Sequence, residues 1–239
     1  MYLEADNQTC RFVLLSPASG CQLFLLISLN RSLEEIRLIT FQLGQGCSVA
    51  AVKNRAVFET SMGFTPLEGL VMGTRCENLD QAIIGYVAEH EQLSLEEIDH
   101  QLNTQSGLLG LSGQTSYMRQ LLKAVHEQHD PRATPAIEVF SQRARKYLEA
   151  YLATLGGAEA VVFEDGIGER APDMRARIYD GMDWCGLSLD CPRNFKVSDV
   201  QPGETIPSHS KKSSIELLVI GTDEESWIAR ETFQCLSIA

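Results

Sequence analysis

Nowhere does this 239-residue chain hold the roughly 20 consecutive apolar residues that a membrane-spanning helix requires. The apolar run Phe24 to Leu29 (FLLISL) is far shorter, and Glu4 and Asp6 precede it where a secretory signal carries positive charge, so a buried segment or a non-native leader is expected there. The seven cysteines (Cys10, Cys21, Cys47, Cys76, Cys185, Cys191, Cys235) include no CxxC pair and are odd in number. That excludes a fully paired disulfide framework, argues against a zinc site and favours a reducing cytoplasm. Five histidines (His90, His100, His126, His129, His209) lack metal-ligand spacing and are expected at the surface. Positive charge is scarce: 20 Lys and Arg stand against 32 Asp and Glu, a net charge of −12. A field of that sign repels nucleic acid and anionic membrane, so neither is expected as a partner. Any phosphate site must be built locally. No internal repeat or low-complexity segment is present.

What the chain does have is a composition ordinary for a globular protein, 44% hydrophobic and 22% charged, in a length that suits one large domain or two small ones. Its most informative stretch is Ala160 to Arg170, AVVFEDGIGER. The β-branched run Val161-Val162 with Phe163 stops at Glu164-Asp165, meets Gly166-Ile167-Gly168, and leads to Pro172 at the start of a helix. This reads as strand, glycine turn, helix. Such a turn is either a plain αβ connection or a place where backbone approaches a phosphate, with the next helix's N–H groups facing the anion.

Further motifs surround it. Ile36 to Leu43 reads as a strand, followed by Gly44-Gln45-Gly46, a second strand Ser48 to Val52, a turn at Asn54-Arg55 and a third strand Ala56 to Glu59. The GxG is either a tight β-turn or a phosphate-approach loop. Thr60 to Arg75 (TSMGFTPLEGLVMGTR) mixes hydroxyls, glycines and a proline with large apolar residues, which suits a winding segment along a cleft. Arg75 at its end is either a solvated cation or a two-pronged donor for carboxylate or phosphate. Asp80 to Glu91 is helical by spacing, and Ser94-Leu-Glu-Glu97 is a capping box opening another helix. Gly107 to Gly113 is expected as a glycine-rich loop, with Ser116 to Arg119 behind it. Pro135 to Leu155 predicts a long amphipathic helix with Ile137, Phe140, Ala144, Leu148, Tyr151 and Leu155 along its buried stripe, ending at Gly156-Gly157. A helix to about Asp180, a strand near Leu187 to Leu189, a polar stretch Val197 to Ser213 and an apolar strand Ile215 to Ile220 follow. The capping box Thr222-Asp-Glu-Glu225 opens the last helix; Glu224 and Glu225 either complement its dipole or ligate magnesium. Alternating strands and helices predict an α/β layer architecture with ligands beyond the strands' carboxyl ends.

From about Leu29 onward these motifs, in this order, resemble acetate kinase, the family that moves a phosphoryl group between ATP and a short carboxylate. TSMGFTPLEGLVMGTR carries most of the likeness, supported by QSGLLGLSG (Gln105 to Gly113), GIGE (Gly166 to Glu169) and DEESWIARET (Asp223 to Thr232). The resemblance implies a ribonuclease-H-like domain of the actin and sugar-kinase superfamily, the second half of a two-domain kinase. Residues 29–239 would be this nucleotide-binding C-terminal domain, and residues 1–28 a leader unlike the family. It further implies nucleotide contacts at Gln42, Leu43, Gly44, Gln45 and Gly46, at Tyr117, Met118 and Arg119, and at Gly166, Ile167, Gly168, Glu169 and Arg170. Arg75 would stabilise the transition state, Pro66 would wall the acetate pocket and Glu224 would hold Mg2+. ATP or ADP and a short carboxylate are the implied partners, a homodimer the implied assembly and the cytoplasm the implied location.

The sequence departs from the family's wording at Gln42 (histidine in the family), Gln45 (asparagine), Tyr117 (aspartate two residues before Arg119) and Arg170 (asparagine after GIGE), and shows no counterpart of the family's first domain. Reversible transfer between ATP and acetate, impaired in the chain alone, is the expected function. A non-catalytic remnant or nucleotide-binding module, and a propionate or butyrate kinase, are the alternatives.

Overall fold

The computed structural model describes residues 36–54 and 56–222. The leader, the DEESWIARET motif and Glu224 with its capping box beyond Thr222 lie outside the described residues. A six-stranded sheet carries strands β1 (Arg37–Leu43), β2 (Cys47–Lys53), β3 (Ala56–Thr60), β4 (Ala160–Glu164), β5 (Thr205–Pro207) and β6 (Glu216–Ile220) in the order β3-β2-β1-β4-β6-β5. β1, β2 and β3 form an antiparallel meander, while β4 lies parallel to β1 and β6 parallel to β4. β5 closes the far edge antiparallel to β6. The strands therefore read as continuous apolar runs, because both faces of the central ones are buried. Ile39, Phe41, Leu43, Val161, Phe163 and Leu217 enter the main core, and Ile36, Leu38, Val52, Ala160, Val162, Leu218 and Ile220 form a second cluster. Phe41 stacks on Phe163 at 4.9 Å between ring centroids.

The helices, numbered in chain order, are α1 (Ala82–His90), α2 (Leu95–Thr104), α3 (Gly107–Ser112), α4 (Met118–Lys123), α5 (Ala133–Leu155), α6 (Asp165–Arg170), α7 (Pro172–Tyr179) and α8 (Cys191–Lys196). α5 follows the expected stripe: Ile137, Phe140, Ala144, Leu148, Tyr151 and Leu155 are all buried, and Gly156 ends it in the left-handed conformation. The Ser94–Glu97 capping box forms in full. No helix among the described residues is long and apolar enough to cross a membrane.

Four expectations are corrected. Gly107 to Gly113 is not a loop: it is helix α3, because the Leu108 and Leu109 N–H groups find ready acceptors in Met72 O and Gly73 O, at 2.9 and 3.0 Å. The glycines of GIGE do not form the turn after β4. They lie inside a short helix, α6, that begins at Asp165, ahead of the helix expected at Pro172, and the left-handed residue is Asp165 (φ 66°), a conformation that a short polar side chain tolerates. Leu187 to Leu189 forms only a single bridge, Leu189 to His209, rather than a strand. His209 is half-buried rather than fully exposed, its Nδ1 accepting Leu217 N–H at 3.2 Å. Helix α8 and strand β5 were not expected. α8 carried a readable signal, since Asp190 caps it by accepting Arg193 N–H and a proline lies in its first turn.

Candidate active site

Three turns meet beyond the carboxyl ends of β1, β4 and β6. In the first, Gly44 N–H donates to Gly46 O at 3.0 Å, closing the β1–β2 connection tightly. The second opens α6, and its Asp165 carboxylate lies over Gly44: a Cβ there would stand 2.1 Å from Oδ2. A side chain at position 44 would push that carboxylate aside. The third is the exit of β6, where the Thr222 N–H and hydroxyl both donate to Glu169 Oε1, at 2.9 and 2.7 Å. Gln42 and Glu164 pair across β1 and β4, and Glu164 is buried. Cys47, just past the first turn, is pushed up to about 12 by burial, so it stays a thiol at neutral pH.

Residues 70–76 supply the next wall. Leu70, Val71 and Met72 are buried and anchor the segment. Gly73 N–H donates to Gln45 O at 3.0 Å, tying this wall to the first turn, while Ser106 N–H donates to Thr74 O and Cys76 N–H to Leu102 O. Gly107 (φ 59°) packs so closely beneath it that a Cβ would stand 2.3 Å from Met72 O and 2.6 Å from Arg75 O. Asn78 Oδ1 accepts Gly69 N–H at 2.8 Å, and Asn78 Nδ2 reaches Tyr147 Oη on α5 at 2.9 Å, so the winding segment is fastened at both ends. Held this way, Arg75 points its Nη1 towards Gly46, 3.9 Å from where a Cβ would be. Its described contact is soft, Nη1 to Met72 Sδ at 3.7 Å, and it makes no ion pair among the described residues. Ser116 O also approaches Gly73, which brings Tyr117 and α4 to the same wall.

The expected site residues therefore divide. Gln42, Gly44, Gln45, Gly46, Arg75, Tyr117, Gly166 and Ile167 lie on or beside these turns, with Tyr117, Arg119 and Arg170 exposed. Leu43, Met118 and Gly168 are buried, so their side chains or Cα atoms pack the core and only their backbones can face a ligand. Glu169 is buried too, its Oε1 also accepting Asp165 N–H at 3.1 Å. Pro66 stands apart: it is exposed, and no hydrogen bond or ion pair among the described residues joins it to Arg75. Its neighbours Phe64, Thr65 and Leu67 line a cavity of about 330 Å³ with Cys76 and Leu102. A cavity of about 760 Å³ between α5 and α7 is lined by none of the expected residues. Its Arg145 is already committed to the Ile178 and Arg177 carbonyls at the end of α7, so the strand-end turns remain the better candidate.

Sequence reasoning missed what holds α6. Arg175 on α7 is fully buried and makes five hydrogen bonds. Nη1 donates to Gly168 O and Glu169 O, Nη2 to Asn194 O and Val197 O, and Nε to Asn194 Oδ1. Asn194, also fully buried, returns Nδ2 to Pro172 O at 2.9 Å. Burial lowers the guanidinium to about 10, which leaves it protonated at neutral pH. No motif announces this: an arginine ten residues past a strand reads as a solvated cation. As for metal, no cluster of three His, Cys, Asp or Glu suited to an ion exists among the described residues.

Comparison with known proteins places this arrangement. The acetokinase family model matches residues 25–230. Acetate kinase of Solibacter usitatus is 48% identical over 203 residues, 85% of this chain and 48% of that protein; acetate kinase of Chloroherpeton thalassium is 46% identical over the same shares. The crystal structure of Porphyromonas gingivalis acetate kinase superimposes with a TM-score of 0.86 at 32% identity, covering 92% of this chain and 54% of that one. A Francisella tularensis propionate kinase gives 0.81 at 35% identity, covering 90% and 53%. The chain thus spans about half the length of the curated relatives it matches. The expected ribonuclease-H-like α/β fold is borne out by these neighbours. With the family model matching most of its length and the acetate kinase fold superimposing on it, the chain belongs to the acetokinase family.

Proposed function

We propose that residues 29–239 form the nucleotide-binding half of a kinase that transfers a phosphoryl group reversibly between ATP and a short carboxylate, acetate or propionate. The observation that carries this reading is the convergence of the Gly44 and Asp165 turns with the Gly73 wall beyond the strand ends, with the Arg75 guanidinium beside Gly46 and no carboxylate paired to it among the described residues. In a chain of net charge −12, a cation beside a glycine turn with no acidic partner among the described residues suits an anionic guest.

In the forward step a carboxylate oxygen of the acceptor forms a bond to the γ-phosphorus while the bond from that phosphorus to the β–γ bridging oxygen breaks, giving the acyl phosphate and ADP. Negative charge spreads over the three equatorial oxygens, and a positioned arginine counters it without reorganising at that moment. Arg75 takes that role, and its attachment through Gly73 to Gln45 sets its distance from the nucleotide turn. Gln42 offers a neutral hydrogen bond where an ionisable donor would add charge. Exposed Tyr117, Arg119 and Arg170 border the nucleotide. Glu224 would hold Mg2+, whose contribution is to neutralise charge on the nucleotide phosphates. The cytoplasm suits its buried thiol Cys47.

Thermal unfolding with and without saturating Mg·ADP tests the reading. Ligand at about a hundred times its dissociation constant adds about 2.7 kcal/mol, which should raise the midpoint by about 5–10 °C for a chain of this size. A cooperative transition indifferent to nucleotide defeats it. Arg75→Ala should leave the unliganded midpoint within about 2 °C, since Arg75 makes no ion pair among the described residues. In the same variant, phosphoryl transfer by the full catalytic assembly should fall by about 10³-fold.

A further inference from the structure

Glu169 belongs to a motif that reads as a nucleotide contact, yet its carboxylate is turned inwards. The residue is 5% exposed, and Oε1 accepts three donors: Asp165 N–H at 3.1 Å, Thr222 N–H at 2.9 Å and Thr222 Oγ1 at 2.7 Å. Oε1 so occupied has no lone pair left for a ribose hydroxyl, either oxygen of a carboxylate repels phosphate, and the burial of the residue leaves little of it to face a ligand. What it does instead is join two chain segments 53 residues apart, the start of α6 and the exit of β6. The first of these segments bears on the Gly44 turn. Asp165, held in the left-handed conformation, rests its carboxylate on Gly44, and in sequence Thr222 is followed at once by the acidic run Asp223 to Glu225. From the other side, Arg175 grips the Gly168 and Glu169 carbonyls, so the carboxylate end of α6 is fixed before any ligand arrives.

Resting on the proposed nucleotide-binding role, we propose that Glu169 is a positioning residue: it sets the Gly44 turn and the β6 exit through Asp165 and Thr222, and does not itself touch the nucleotide. A carboxylate accepting several N–H and O–H donors is the strong kind of hydrogen bond, and its removal leaves buried donors without a partner.

The test uses the full chain with Glu169→Ala, Glu169→Gln, Thr222→Val and the Glu169→Ala/Thr222→Val double variant. Amide hydrogen exchange without ligand reads the contact, and calorimetric titration with Mg·ADP reads its consequence. Glu169→Ala should speed exchange at the Asp165 and Thr222 amides and weaken Mg·ADP by about tenfold. Thr222→Val should weaken it by about threefold. The double variant should bind no worse than Glu169→Ala alone, because both changes remove one shared connection. Glutamine keeps an acceptor oxygen, so Glu169→Gln should stay within about threefold of the parent. A silent Thr222→Val, additive losses in the double variant, or a Glu169→Gln as weak as Glu169→Ala would each overturn the inference and make Glu169 a direct contact. Unchanged exchange in Glu169→Ala overturns it as well. If the parent chain itself ignores Mg·ADP, the nucleotide-binding reading falls and takes this inference with it; the silent parent distinguishes that case from the others.

Discussion

Replacing Arg175 by methionine removes a charge that has no acidic partner among the described residues, and the fold should suffer heavily for it. The guanidinium is fully buried, and the five bonds that it makes all run to neutral oxygens: four carbonyls and Asn194 Oδ1. Methionine fills much of the same volume but donates nothing. Each buried acceptor left without a partner costs about 1–3 kcal/mol. Some of the five will relax towards water or another donor, so the net loss should be about 3–5 kcal/mol, the range found when buried polar networks are broken from one side. Total stability for domains is about 5–15 kcal/mol, which makes this a large fraction. Urea unfolding followed by circular dichroism gives the free energy directly, and the thermal midpoint should drop by about 6–20 °C. Arg175→Lys keeps the charge but offers three donors from one nitrogen, which cannot span α6 and α8 together, and should fall between the two. A methionine variant within about 1 kcal/mol of the parent would refute the clamp, and with it the idea that α6 is held in place from behind.

Other changes probe the turns themselves. Asp165→Asn, whose side chain also suits the left-handed conformation, should change stability by less than about 0.5 kcal/mol, whereas Asp165→Val at φ 66° should cost about 2 kcal/mol in the same urea assay. Gly107→Ala drives a Cβ into the Met72 and Arg75 carbonyls, and should cost about 2–4 kcal/mol and weaken Mg·ADP. Gly73→Ala meets mainly the movable Gln45 amide and should cost about 1 kcal/mol or less. At the opposite end of the sheet, burial raises the Glu159 carboxyl, but the hydrogen bonds and charge of Arg37 outweigh this and hold it below the usual range. A depressed folded value stabilises above the unfolded one, near 4.5, and that contribution is lost as pH falls through the folded value. Glu159→Gln should therefore lose about 1 kcal/mol at pH 7 and show a shallower decline in acid.

The order of elements was legible because each carries its own periodicity. The apolar runs at 37–43, 160–164 and 216–220, and the buried stripe of α5, could hardly fold otherwise. The TSMGFTPLEGLVMGTR wording was legible for another reason: a glycine is required where backbones touch, as at Gly69 (φ 115°) beside Ser61 O, and such requirements leave a readable pattern. α3 was misread because glycine lowers helix propensity locally, while the acceptors that cap it, Met72 O and Gly73 O, lie more than thirty residues away. GIGE was misread in detail on similar grounds. Its glycines were taken as the turn, yet the turn falls on Asp165, since the Glu169 acceptor and the Arg175 clamp reach α6 from distant segments and fix where it begins. The sequence by itself thus determined five of the six strands, the long helix, the family and the residues on the first two strand-end turns, all properties of local pattern. Only the tertiary structure decided that Arg175, Asn194, Glu169 and Thr222 form one brace, because a hydrogen bond between residues 19 or 53 positions apart has no period and no motif.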